Sequence, residues 1–195
     1  QPTVHSSSRT AKSFTVDGVF DTDSTQADVY EKLARPVLND VLRGCRGCVM
    51  AYGQTGSGKT HSLLGEAADV ETVDVTSDNA ALVPRLAAEL FAAIAADFKH
   101  TYVVKVAMFQ IYNETVDDLL KHKTGTGLKA VPDGEGGWTV DNLSWYACNS
   151  PSYLLQCFRN GRKRLAYAET HMNKHSSRSH AVLQARYTLL APTPC

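Results

Sequence analysis

Gly53-Gln-Thr-Gly-Ser-Gly58-Lys59-Thr60 decides the fold of this 195-residue chain. The stretch satisfies GxxxxGK[ST] at every required position. Glycines let the backbone curl until successive N–H groups face one anionic centre. A helix starting at Lys59-Thr60 adds the positive end of its dipole. Lys59 would reach the β- and γ-phosphates of a nucleoside triphosphate, and the Thr60 hydroxyl would complete a Mg²⁺ shell. The phosphate-binding candidates are therefore Gly53, Gln54, Thr55, Gly56, Ser57, Gly58, Lys59 and Thr60. The bland alternative is a flexible Gly/Ser loop with one surface lysine. Context weighs against it. Cys48-Val-Met-Ala-Tyr52, just before the loop, is a continuous apolar run bounded by glycines and reads as a buried central strand. A helical pattern through Leu63-Leu64 follows. The motif specifies a nucleoside triphosphate, not which one or to what end.

Working outward, residues 27–43 carry Val29, Tyr30, Leu33, Val37, Val41 and Leu42 at helical spacing, with Ser24 or Thr25 as the cap. Pro36 inside that pattern predicts a kink or irregular turn, and Gly44 ends the helix. Upstream, Phe14 and Val16 suggest a short strand before the Asp17-Gly18 turn. Residues 65–80 are acidic and Ala-rich, a solvent-exposed loop. Residues 82–98 resume an amphipathic helix, and 102–111 alternate as a strand. Val116, Leu119 and Leu120 read as one helical face after Asn113. Residues 121–137 are a long Gly-rich loop with a short strand near 128–131, and 138–140 are a second short strand. Ser150-Pro151 opens a helix running through Leu154, Leu155, Phe158 and Leu165. Residues 181–190 alternate again as a strand. Strands alternating with helices give a three-layer α/β domain.

Composition bounds the rest. Twenty Lys+Arg balance twenty Asp+Glu, so a bulk basic field for nucleic-acid binding is disfavoured. The apolar runs are too short for a transmembrane helix, and the N-terminus lacks the apolar core of a signal peptide. Five cysteines are no disulfide framework. Cys45-Arg-Gly-Cys48 lacks a second pair at zinc-ribbon distance, so it reads as buried free thiols in a reducing setting. Arg159, Arg162, Lys163 and Arg164 read as a solvated helix end rather than a nucleic-acid patch.

A second motif, Asn173-Lys-His-Ser176-Ser177-Arg178-Ser179-His180, changes the specificity of the reading. With Ala51-Tyr52 and the phosphate loop, it closely resembles the kinesin motor domain. Val19-Phe20-Asp21, Val29-Tyr30, Val83-Pro84-Arg85, Ile111-Tyr112-Asn113-Glu114 and Asp118-Leu119-Leu120 match in the family's order over nearly the whole chain. A polar turn, or a zinc site from His171, His175 and His180, is the competing reading of this stretch; no acidic catalytic residue or Cys pair accompanies those histidines.

The resemblance implies a P-loop NTPase fold with a central mixed sheet flanked by helices. It makes 172–180 the first nucleotide switch and 65–82 the exposed insertion that interrupts the P-loop helix. Ser177 would join Thr60 on Mg²⁺, Asn173 and Ser176 would approach the γ-phosphate or its attacking water, and Arg178 would pair with a glutamate of the second switch. Short polar side chains suit a switch, because their bonds vanish when phosphate leaves. His61 would lie against adenine, implying ATP and ADP as ligands. The implied partner is the microtubule, in a cytoplasmic, cytoskeletal setting. Neither nucleic acid nor membrane insertion is expected, and any homodimer would form through segments not among these residues.

Departures shape the expectation. An Asp-Leu-Ala-Gly-Ser-Glu second switch is not among these residues, nor is a first strand with an Arg-x-Arg-Pro adenine contact. The 195 residues read as a partial motor domain, incomplete at both ends, with an unpaired sheet edge and poor ATPase activity alone. Val140-Asp-Asn-Leu-Ser-Trp145 replaces the Val-x-Gly-Leu-Thr-Glu pattern near the family's tubulin-facing loop. The alternative to a motor is a truncated or degenerate kinesin-like structural component of a microtubule assembly.

Overall fold

Around Val103-Val104-Lys105-Val106, β-branched residues alternate with others and form the central strand β3 (His100–Tyr112). The structure is a computed structural model. It describes residues 3–5, 13–65, 79–121, 127–172 and 179–192, with the side chains of 13–65, 79–121, 127–165 and 179–190. Both edges of β3 are paired. Strand β8 (His180–Pro192) runs antiparallel along one edge, with Val104 opposite Tyr187 and Phe109 opposite Val182. The other edge is divided between β7 (Tyr146–Cys148), facing Val104 to Val106, and β4 (Thr115–Asp118), facing Phe109 to Tyr112. Among the described residues, all pairings of this sheet are antiparallel. Separate two-stranded pieces join β1 (Thr3–His5) to β2 (Ser13–Thr15), and β5 (Ala130–Pro132) to β6 (Trp138–Val140).

The alternation of β3 divides the core. Val104, Val106 and Met108 face the helices α4 (Leu82–Ala96) and α5 (Pro151–Met172), packing with Leu90, Leu154, Leu155 and Phe158. Ala107 and Phe109 face the other way, onto Val116, Leu143, Val140 and Trp145. Each fully buried aliphatic side chain contributes about 1.5–3 kcal/mol, so these two clusters dominate the stability of the sheet. Gly161 sets how closely α5 approaches. A Cβ there would press inside van der Waals distance of the Met108 sulfur, which is itself only 2% exposed.

The first helical region reads as the sequence suggests. Thr25 caps α1 (Gln26–Val29) in a capping box with Asp28. Pro36 has no N–H to return to residue 32, and the helix absorbs this as a π-helical turn over Tyr30–Ala34. The Arg35 N–H donates five residues back, to the Tyr30 carbonyl, before α2 (Arg35–Leu42) resumes. Gly44 leaves that helix at φ +94°. The Tyr30 hydroxyl donates to Glu89 of α4, and Arg35 bridges Glu31 and Glu89, fastening α1 and α2 to α4. Burial, then the Glu89 carboxylate, raises the Tyr30 phenol well above its ordinary range.

Several expectations are corrected. Residues 48–52 are not a buried strand. They form no ladder with any described strand, and Met50 and Tyr52 stand 79% and 94% exposed. An apolar run becomes a central strand only where a neighbour satisfies its N–H and C=O groups. For the same reason Cys45 and Cys48 are exposed free thiols, while Cys148 and Cys157 are the buried ones. Val116, Leu119 and Leu120 do not lie on a helix. Asn113 and Glu114 both adopt positive φ (45° and 65°), the signature of a two-residue hairpin turn, and Val116 returns on β4 opposite Ile111. The basic cluster 159–164 lies inside α5, not at its end, and Arg164 donates to the Leu119 carbonyl at 2.9 Å.

The expected insertion falls mainly on residues 66–78, outside the described residues. Its two flanks are buried rather than exposed: Gly65 on one side, and Ala80, Ala81 and Leu82 on the other. They also meet. A Cβ on Gly65 would collide with the Asn79 carbonyl oxygen.

Candidate functional site

The candidate loop 53–60 curls at its glycines. Gly53, Gly56 and Gly58 sit at φ +157°, +81° and +86°. Gly58 is the left-handed residue immediately before α3 (Lys59–Leu64). A side chain at Gly53 would meet the Ser57 hydroxyl at 2.5 Å, so only glycine lets the loop close on itself there. The Ser57 N–H returns to the Gln54 carbonyl at 3.2 Å, and the Ser62 N–H to Gly58 at 2.9 Å. Lys59 folds back over this curl. Its Nζ donates to the Gly53 and Gln54 carbonyls at 2.8 and 2.7 Å. A single ammonium thus holds the loop's mouth, where it would compensate the charge of a bound phosphate. Thr55 and Thr60 are exposed beside it, and Thr60 offers the hard hydroxyl oxygen that Mg²⁺ favours. The residues present fit a Mg-bound phosphate chain.

His61 lies in the first turn of α3 and is exposed. Its carbonyl and ring nitrogen both meet the Gln26 side chain, a contact that no local pattern reveals, since the two residues are 35 apart and share no motif. Asn173, Ser176, Ser177 and Arg178 lie outside the described residues. The structure places only their flanks: α5 ends at Met172, and β8 starts at His180.

Two further charged features lie near these elements. Arg46, ahead of the loop, bridges Asp133 (3.1 Å) and Glu135 (2.7 Å) in the β5–β6 turn. The backbone N–H groups of Glu135 and Gly137, aided by Arg46, hold the Asp133 carboxyl below its ordinary range. In the divergent stretch 140–145, Leu143 is buried, and Trp145 lies under the Arg186 guanidinium at 3.9 Å from the ring centre. Asp118, also buried, accepts the N–H groups of Leu120, Lys121 and Ser144, tying the end of β4 to that stretch.

An α/β domain with a lysine-closed glycine loop running into a helix belongs to the P-loop class of folds. Comparison with known proteins narrows the class. The kinesin motor domain family model matches residues 1–189, and the chain is a member of that family. It is 34% identical over 171 residues to the kinesin-like protein KIF3C of Pongo abelii, covering 88% of this chain and 21% of that protein. Kinesin-related protein 3 of Dictyostelium discoideum is likewise 34% identical, over 87% of this chain and 14% of its own length. The fold matches a solved fast kinesin, reported for its ATPase mechanism and interactions with microtubules, at a TM-score of 0.82 and 31% identity. That match covers 93% of this chain and 50% of the solved one. The chain therefore spans about a fifth or less of the curated relatives' length. Among the described residues, no helix is long and apolar enough to cross a membrane.

Proposed function

We propose that this chain is the nucleotide-binding part of a kinesin-type motor, which binds Mg-ATP and, in the whole protein, couples hydrolysis to microtubule binding and movement. The observation that carries the reading is the loop 53–60, closed by Lys59 on its own carbonyls, in a chain of the kinesin family. Gly53, Gln54, Thr55, Gly56, Ser57 and Gly58 would wrap the phosphates with backbone N–H groups. Lys59 would offset the charge growing on the β- and γ-phosphate oxygens. Thr60 and Ser177 would hold Mg²⁺, which supplies further charge compensation at the same oxygens. Asn173 and Ser176 would order the water that attacks the γ-phosphate in line. Arg178 would fasten the first switch to a carboxylate of the second. His61 would meet the adenine, with ADP as the product held.

Phosphoryl transfer is mostly positioning and charge compensation, so the part is expected to be far less active than the whole. The test is steady-state ATPase of the whole protein with and without microtubules. Stimulated hydrolysis, at least about tenfold weaker in Lys59→Ala, is the expected result. Microtubule binding with no hydrolysis would mark a structural component instead, and no response to microtubules at all would sink the motor reading.

A further inference from the structure

Gln26 occupies the first turn of α1, and its amide reaches across to α3. The Gln26 Nε2 stands 3.0 Å from the His61 carbonyl oxygen and 3.1 Å from Nδ1 of the His61 ring. A carbonyl oxygen can only accept, so the amide must present its nitrogen on this side. Turned over, Oε1 would face another acceptor. As placed, Oε1 is buried and has no partner among the described residues, so the amide is oriented by its nitrogen end alone. Since the same NH₂ group donates to Nδ1, that nitrogen is the acceptor of the ring. The ring proton is left on Nε2, on the edge away from Gln26.

The arrangement is supported from both sides. The Thr25–Asp28 capping box fixes the backbone on which Gln26 stands, with the Asp28 carboxylate accepting the Thr25 N–H at 2.9 Å and hydroxyl at 2.8 Å. Leu63 of α3 packs against Tyr30, Ala34 and Leu82, so α1 and α3 share one apolar seam. His61 is therefore held at three points: backbone carbonyl, ring nitrogen and the seam beneath.

We infer that Gln26 is a positioning residue that holds His61 as its Nε2–H tautomer, in a fixed orientation, for recognition of a purine base beside the phosphate loop. The base-recognition part rests on the nucleotide reading above; the tautomer stands on hydrogen-bond geometry alone. A free imidazole divides its proton between the two nitrogens and turns about two side-chain bonds. Locking both removes that freedom before ligand arrives, which is how a single exposed ring gains selectivity.

The experiment is long-range ¹⁵N imidazole NMR on the 195-residue chain at about pH 8, above the ordinary histidine range. His61 is expected with Nδ1 unprotonated and Nε2 protonated. Gln26→Ala should return a mixture of tautomers while amide signals remote from α1 stay in place. Gln26→Glu, which can accept but not donate, should draw the proton to Nδ1. In parallel, Mg-ADP and Mg-pyrophosphate are titrated into parent and Gln26→Ala chains. Loss of one positioned hydrogen bond predicts about three- to tenfold weaker ADP binding with pyrophosphate binding unchanged. An Nδ1–H ring in the parent, or one unmoved by Gln26→Ala, overturns the tautomer. Equal losses for ADP and pyrophosphate overturn base recognition and leave Gln26 a purely structural residue. If the parent binds neither ligand, the nucleotide reading and base recognition fail together, while the spectrum still decides the tautomer.

Discussion

Residues 103–109 and residues 48–52 are both short apolar runs, and they differ in what stands beside them. The first lies in β3, laddered on both edges, with Val106 and Ala107 at 0% exposure. The second forms no ladder among the described residues: Cys48, Met50 and Tyr52 face solvent, and Val49 is only partly buried, against the Tyr30 cluster. Hydrophobicity is comparable; neighbours are not. Burial of a strand is a property of the sheet around it, because each unpaired peptide group resists leaving water. The rigid part of this molecule and the part that would meet nucleotide are thus built on different principles. One is held by side-chain packing, the other by a curl of backbone and one lysine.

Cysteine chemistry offers the widest contrast between the two regions. Burial, reinforced by the neighbouring Cys157, pushes the Cys148 thiol up from 9.0 to about 12, and burial also raises Cys157. Three pH units mean about a thousandfold less thiolate, the reactive form. Timed alkylation followed by peptide mass analysis should label Cys45 and Cys48 long before Cys148 and Cys157. Equal rates would show that the buried cluster opens as readily as the loop approach.

Methionine truncation sharpens the same contrast in energy. Met108→Ala should destabilise the chain by about 2–5 kcal/mol in urea unfolding, through a cavity between β3 and α5. Met50→Ala, at an exposed site, should stay within about 0.5 kcal/mol. Matching losses would mean that 48–52 is packed in solution after all.

A smaller effect concerns acid. The Tyr102 hydroxyl (2.5 Å) and the His100 ring (2.9 Å), with the Lys99 N–H, hold Asp97 down from 3.8 to about 2. Its folded value lies below the unfolded one, so its stabilisation is complete above about pH 4 and is lost as pH falls through about 2. Tyr102→Phe should flatten the acid limb of stability in that window alone. An unchanged limb would show that the turn between α4 and β3 adds nothing.

Local pattern made much of this legible. The glycines of 53–58, the alternation of β3 and β8, the spacing of α4 and α5, and the irregularity at Pro36 all lie within a turn or two of the residues that cause them. The misreadings share a cause too. The run 48–52 carried no information about its neighbours. The Asn113-Glu114 turn needed two non-glycine residues at positive φ, which short apolar spacing cannot reveal. Gln26 with His61, and Gly161 with Met108, are meetings of distant chain segments. As for the switch candidates 173–178, their motif was legible, while their geometry falls outside the described residues.

The meeting of Gly65 with Asn79 has a consequence for the history of such chains. Because these flanks touch, their own contact, and not the length of chain between them, sets the distance between α3 and α4. Lineages can therefore lengthen, shorten or rewrite residues 66–78 while the helices on either side keep their registration, provided the glycine hinge at 65 is retained. Divergence should accumulate at this point first, and a reporter or affinity tag grafted there would ride on the domain without reshaping it.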